Sequence, residues 1–134
     1  MKILQPPSWM EPRGYSNAIM TEMTAGSRLI FVGGQVGWNA QQQFETDDFA
    51  EQVGQTLRNI VDILREGGAG PEHITRMTWY VCDKKEYAAA LREVGHHYRE
   101  IIGRHFPAMT AIEVSDLIED RARVEIEVTA VVPA

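Results

Sequence analysis

Arg123-Val124-Glu125-Ile126-Glu127-Val128-Thr129-Ala130-Val131 alternates apolar and polar residues and is rich in β-branched side chains, the pattern of a half-buried strand. Val124, Ile126, Val128 and Ala130 fall on one face, and Glu125, Glu127 and Thr129 on the other. One side is made for a core and the other carries carboxylates. Shortly upstream runs Phe106-Pro107-Ala108-Met109-Thr110-Ala111-Ile112-Glu113-Val114. The proline biases Phe106 away from helical angles, so an extended segment begins here and brings Met109 and Thr110 to a strand start at the rim of a cleft.

The earlier part of the chain supplies partners for these strands. Residues 1–14 hold three of the six prolines and read as an irregular arm. Tyr15–Met20 reads as a first strand and Arg28–Val32 as a second; Ala25-Gly26-Ser27 between them suggests a hairpin. Gly33-Gly34-Gln35-Val36-Gly37-Trp38 lacks both a phosphate-loop lysine and the G-x-G-x-x-G spacing, and reads as a turn. Asp48 and Glu51 have capping-box spacing, and Phe49, Val53, Leu57, Ile60, Val61 and Leu64 follow at helical intervals up to Gly67-Gly68. Ile74–Val81 is a third strand, with Met77, Trp79 and Val81 opposite Arg76, Thr78 and Tyr80. Asp83 with Glu86 opens a second helix marked by Tyr87, Leu91, Val94, Tyr98 and Ile101, ending at Gly103.

The order is therefore ββαβαββ in one domain spanning residues 1–134, an α/β (α+β) sandwich with a mixed sheet. Two helices cover one sheet face and leave the other bare. That face carries Glu125, Thr129, Thr78 and Tyr80 among apolar neighbours, too polar for a core and too apolar for plain surface. Packing against copies of the same chain resolves this, giving a homo-oligomer with clefts at subunit boundaries.

Composition narrows the function classes. The chain is 44% hydrophobic and 24% charged, with a formal net charge of −6. The acidic balance argues against a nucleic-acid partner. No apolar run approaches the roughly 20 residues of a membrane span, and the early prolines leave no room for a signal peptide, so a cytoplasmic location is expected. The single cysteine, Cys82, forms no internal disulfide. His73, His96, His97 and His105 show no ligand spacing beyond Glu93 and His97 one turn apart, so no metal is expected.

Arg13-Gly14-Tyr15-Ser16-Asn17-Ala18, Phe31-Val32-Gly33-Gly34-Gln35-Val36, the two helices, Phe106-Pro107-Ala108 and the closing strand resemble the RidA (YjgF, or L-PSP endoribonuclease) family over nearly the whole chain. The resemblance implies a chorismate-mutase-like fold assembled as a homotrimer, with three clefts for a small-molecule ligand. It implies hydrolysis of reactive enamines or imines such as 2-aminoacrylate without metal or organic cofactor. Ribonuclease activity, suggested by one family name, runs against the acidic charge and the missing nucleolytic constellation.

The resemblance also assigns residues. Glu125 matches the cleft glutamate that orients or deprotonates water and returns a proton to the leaving amine. Tyr15 matches a cleft tyrosine, Gly34 a glycine whose backbone lines the site, and Tyr98 a pocket wall; Trp38 and Thr110 complete the surroundings. Where the best-studied branch has an arginine after Pro-Ala to grip the substrate carboxylate, this chain has Met109, and a thioether cannot make that contact. The expected substrate is accordingly an imine bulkier or less acidic than 2-aminoacrylate. Arg13 and Arg104 are the candidates for a replacement cation. Read without the resemblance, Glu125 is more simply a solvated or interface-paired carboxylate, and Glu127 shares its face.

Overall fold

The computed structural model describes residues 1–134. Its central sheet has four strands in the order β3-β6-β4-β5: β3 (Arg28–Val36), β4 (Ile74–Val81), β5 (Ala108–Glu113) and β6 (Val124–Val132). β6 runs antiparallel to β3 and β4, while β4 and β5 are parallel. The mixed sheet and the helices on one face agree with the sequence reading. No helix is long and apolar enough to cross a membrane.

The alternation read from the sequence sets the core. Val124, Ile126, Val128 and Ala130 of β6 and Met77, Trp79 and Val81 of β4 are buried. They meet α1 (Phe49–Glu66), whose Val53, Leu57, Ile60 and Leu64 are fully buried. At roughly 1.5–3 kcal/mol for each fully buried large apolar side chain, this layer is the main stabiliser of the fold. Asp48 caps α1 by accepting from the Glu51 N–H, and Asp83 caps α2 (Lys84–Ala89) by accepting from Lys85 and Glu86. Glu86 does not complete a reciprocal box. Its carboxylate accepts from Arg123 at 3.0 and 3.3 Å instead.

Three expectations are corrected. Ala18–Met20 (β2) does not form a hairpin with β3; it pairs antiparallel with Lys2–Leu4 (β1), so the supposed irregular arm contains a strand. The chain before β2 is held elsewhere, with the Ser16 N–H donating to Pro107 O at 3.0 Å and Ser16 bridging Ala108. Gly33-Gly34 is not a turn. β3 continues through it, and the register on β6 shifts between Val32 and Gln35, marking a bulge. The second helix is divided at Ala90 into α2 and α3 (Leu91–Ile101). The break sits beside Tyr87, whose ring packs edge-on against Phe49 at 6.2 Å and Trp79 at 6.4 Å.

The opposite sheet face has no cover. Phe31 is 74% exposed there, with Leu29 and Ile112 also open to solvent, amid Arg76, Tyr80, Glu127 and Thr129.

Candidate active site

Glu125 stands on the uncovered face, between the fully buried Val124 and Ile126. Its register neighbours are Val36 on β3 and Tyr80 on β4. The bulge brings bare backbone beneath it: a Cβ built on Gly34 would collide with the Glu125 carboxylate. The glycine therefore leaves room for the side chain to lie across β3. Burial holds the Glu125 carboxyl above its ordinary range, and the charges of Glu127 and Glu119 add to the rise. Glu127 is engaged differently, since the Tyr80 hydroxyl donates to it at 2.7 Å. That bond, ahead of burial and charge, pushes the tyrosine pKa up. Of the two carboxylates, Glu125 is the one with no hydrogen-bond donor from the protein, the condition of a base available to water.

A second group gathers behind β5. Tyr15, Tyr98 and Met109 line a cavity of about 330 Å³ between the loop at Arg13–Tyr15, the α2–α3 segment and the sheet. Tyr98 is buried, its ring stacked on Phe106 with centroids 5.7 Å apart and planes 7° from parallel. Its hydroxyl donates to His105 O at 2.6 Å, and burial raises its pKa. Tyr98 thus offers a wall, its only proton already committed. Met109 pairs with Met77, whose side chain is in the core, and packs against that core.

The expected residues thus fall into two groups within the chain. Glu125 and Gly34 lie together on the open face, and Thr110 shares that face on β5, opposite Thr78. Met109, Tyr98 and Tyr15 surround the cavity on the helical side. Trp38 joins neither group directly: it lies just beyond the Val36–Glu125 pair, packs on Phe44 at 5.8 Å, and its carbonyl accepts from Asn59 at 2.8 Å.

Two positioning residues escaped the sequence reading. Gln52 is fully buried in α1; its Nε2 donates to Thr46 O and Arg121 O at 3.0 Å, and its Oε1 accepts from Arg123 N at 2.8 Å. It pins the chain two residues before Glu125. Asn59 holds the exit of β3 through Val36 O and Trp38 O. The signal for Gln52 was present as a polar residue on the same helical stripe as Phe49 and Thr56.

Nothing converges as a metal cage, since no three His, Cys, Asp or Glu side chains cluster. His105 Nε2 donates to Ile74 O at 2.6 Å, and His73 Nδ1 accepts from Gly70 N–H at 2.9 Å. Burial pushes the Cys82 thiol up, which disfavours the thiolate a nucleophile needs. The arrangement offers one available carboxylate over a glycine-lined surface and, apart from it, a hydrophobic hollow.

Comparison with known proteins fits this layout. The chain is 32% identical over 132 residues to a RutC family protein of Aquifex aeolicus, covering 98% of this chain and 99% of that one. It is 30% identical over 118 residues to the 2-iminobutanoate/2-iminopropanoate deaminase of Bos taurus, covering 87% and 79% of the two chains. A crystal structure of a Rid-family protein from Yersinia pestis superposes with a TM-score of 0.83 at 28% identity, covering 96% of each chain. The family model for endoribonuclease L-PSP matches residues 10–132. With the mixed sheet, the one-sided helices and the match along nearly its full length all in agreement, the chain belongs to the Rid (YjgF, endoribonuclease L-PSP) family.

Proposed function

We propose that the protein is an imine or enamine hydrolase, a deaminase acting on a small metabolite in clefts between the subunits of a cytoplasmic homotrimer. Water adds across the C=N bond, and the resulting carbinolamine expels ammonia to leave a carbonyl compound. The hydrolysis is redox-neutral and calls for no redox cofactor, and in this reading Glu125 rather than a metal or organic group supplies the acid–base chemistry. Glu125 takes a proton from the attacking water and delivers one to the departing nitrogen. Backbone around Gly34, with Tyr15 and Thr110, positions the substrate; Trp38, Tyr98 and Met109 shape its surroundings.

The observation that supports this reading most is Glu125 itself: a half-buried carboxylate with a raised pKa, lying over the Gly34 backbone on an uncovered face. The imine deaminase named among the relatives supports the same chemistry. Replacing Glu125 with Gln keeps size and removes the base. Turnover of imines generated in solution is expected to fall at least about 100-fold while the assembly stays intact; undiminished turnover would remove Glu125 from the mechanism.

A second reading is favoured by Met109, which stands where the resemblance implies a substrate-gripping arginine and offers an apolar side chain packed against the core instead. In that reading the trimer binds a small metabolite without hydrolysing it. Saturable thermal stabilisation by ligand, with no acceleration of any imine over buffer, would select it.

A further inference from the structure

The cavity behind β5 has a definite chemical character. Its apolar wall is built from the rings of Tyr15, Trp79, Tyr87, Tyr98 and Phe106 together with Met109. Trp79 is 1% exposed, and its Nε1 is buried with no hydrogen-bond partner.

The rim carries the opposite kind of group. Arg13, Arg99 and Arg104 line the cavity, are exposed, and none is paired with a carboxylate. No Asp or Glu lines the cavity, although the chain carries 19 acidic against 13 basic residues. Two of the arginines come from turns that need glycine: Gly14 has φ +78° and Gly103 φ +88°, backbone angles that a side chain resists. Both glycines also line the cavity, so these turns carry Arg13 and Arg104 to its rim. Like charges gathered without counter-charges favour an anion, and guanidinium suits a carboxylate through paired N–H donors.

We propose that this cavity takes an aromatic 2-imino acid, and the 2-oxo acid formed from it, with the ring inside and the carboxylate held at the rim by Arg13 and Arg104. The stacked Tyr98 and Phe106 rings and the Met109 thioether accept a flat π-system, and the cavity's size is that of a small-molecule site. In the reaction, water adds to the imine carbon, the C–N bond breaks, and ammonia leaves with the proton supplied. The hydrolysis rests on the deaminase reading given above; the binding preference does not.

The test titrates the intact protein by calorimetry with phenylpyruvate, pyruvate and uncharged phenylacetamide. Phenylpyruvate is expected to bind at least about tenfold more tightly than either of the others. Arg13→Met and Arg104→Met should each weaken it about tenfold, with thermal unfolding unchanged because both side chains are exposed. Equal affinity for pyruvate and phenylpyruvate would overturn the aromatic preference. Unaltered phenylpyruvate binding in the double variant would overturn the arginine assignment. A parallel assay measures ammonia release from the imines of phenylalanine and alanine, generated in place by an amino-acid oxidase. Arginine-dependent phenylpyruvate binding without acceleration of either imine would sustain the inference and defeat the deaminase reading. Hydrolysis of the alanine imine without phenylpyruvate binding would do the reverse.

Discussion

Met109 and Glu125 flank the same strand, β4, yet face opposite sides of the sheet. Met109 on β5 is in register with the core residue Met77, and Glu125 on β6 with the open-face residue Tyr80. A small ligand in the cavity behind β5 therefore cannot reach the Glu125 of its own protomer through the sheet. Under the proposed function, a site using both is completed by a neighbouring copy docked on the uncovered face.

That geometry makes Phe31 a sensitive position, being 74% exposed on the open face opposite Thr129. Phe31→Glu places a charge where association would have to desolvate it, near Glu127 of the same face. The variant is expected to sediment as a monomer at micromolar concentration and to lose hydrolysis at least about tenfold, with its circular dichroism unchanged. An intact oligomer would move the interface away from this face.

The raised carboxyl of Glu125 predicts two pH effects. Unfolding returns it to its ordinary value, so between the two pKa values the folded chain holds the extra proton, and stability falls as pH rises through that window. Glu125→Gln removes this decline, so the variant should be no less stable than the wild type at pH 7 in denaturant titrations. For activity, the base must be ionised. The acid limb of kcat/KM should lie above the usual glutamate range and move down in Glu127→Gln, which deletes one of the charges behind the shift. A limb in the ordinary range, unmoved by that variant, would belong to another group.

Much of this layout was legible because it obeys short periods. Strict alternation identified both faces of β4 and β6, and Asp48 and Asp83 marked helix starts by spacing alone. β1 and β2 span three residues each, too few to carry a period, and they pair with each other across an irregular connection instead of through a short turn. The break at Ala90 has no glycine or proline to announce it. On β5 neither Ala108, Thr110, Ile112 nor Met109, Ala111, Glu113 is uniformly apolar. The face of Met109 is therefore decided by register with β4, which periodicity cannot supply. Gln52 went unnoticed for a related reason, since its partners Thr46, Arg121 and Arg123 are fixed by tertiary folding.

Gly34 separates stability from activity. The three atoms nearest an added Cβ all belong to the Glu125 side chain, the flexible part of its neighbour, and no positive φ is involved. Gly34→Ala should therefore change stability by less than about 1 kcal/mol while pushing the carboxylate off its place over β3. Turnover is expected to drop about tenfold or more, chiefly in kcat. A variant as active as the wild type would mean that the resting position of Glu125 is not the working one.

Gln52 offers the complementary case, a residue remote from any ligand that holds the working strand in place. Its side chain satisfies two carbonyls and one N–H in a buried setting, tying α1 to the loop before β6. Gln52→Leu fills similar space but strands the Arg123 N–H and withdraws a donor from Thr46 and Arg121. The expected loss is about 2–4 kcal/mol, read as a lower denaturation midpoint at fixed protein concentration. Gln52→Glu restores the acceptor for Arg123 while losing the donor, and buries a charge if ionised. Its deficit should therefore shrink as pH falls and the carboxylic acid form, able to donate again, becomes populated. A Gln52→Leu protein as stable as the wild type would show that the loop is held by its other contacts, chief among them Arg121 to Asp47 at 2.9 Å.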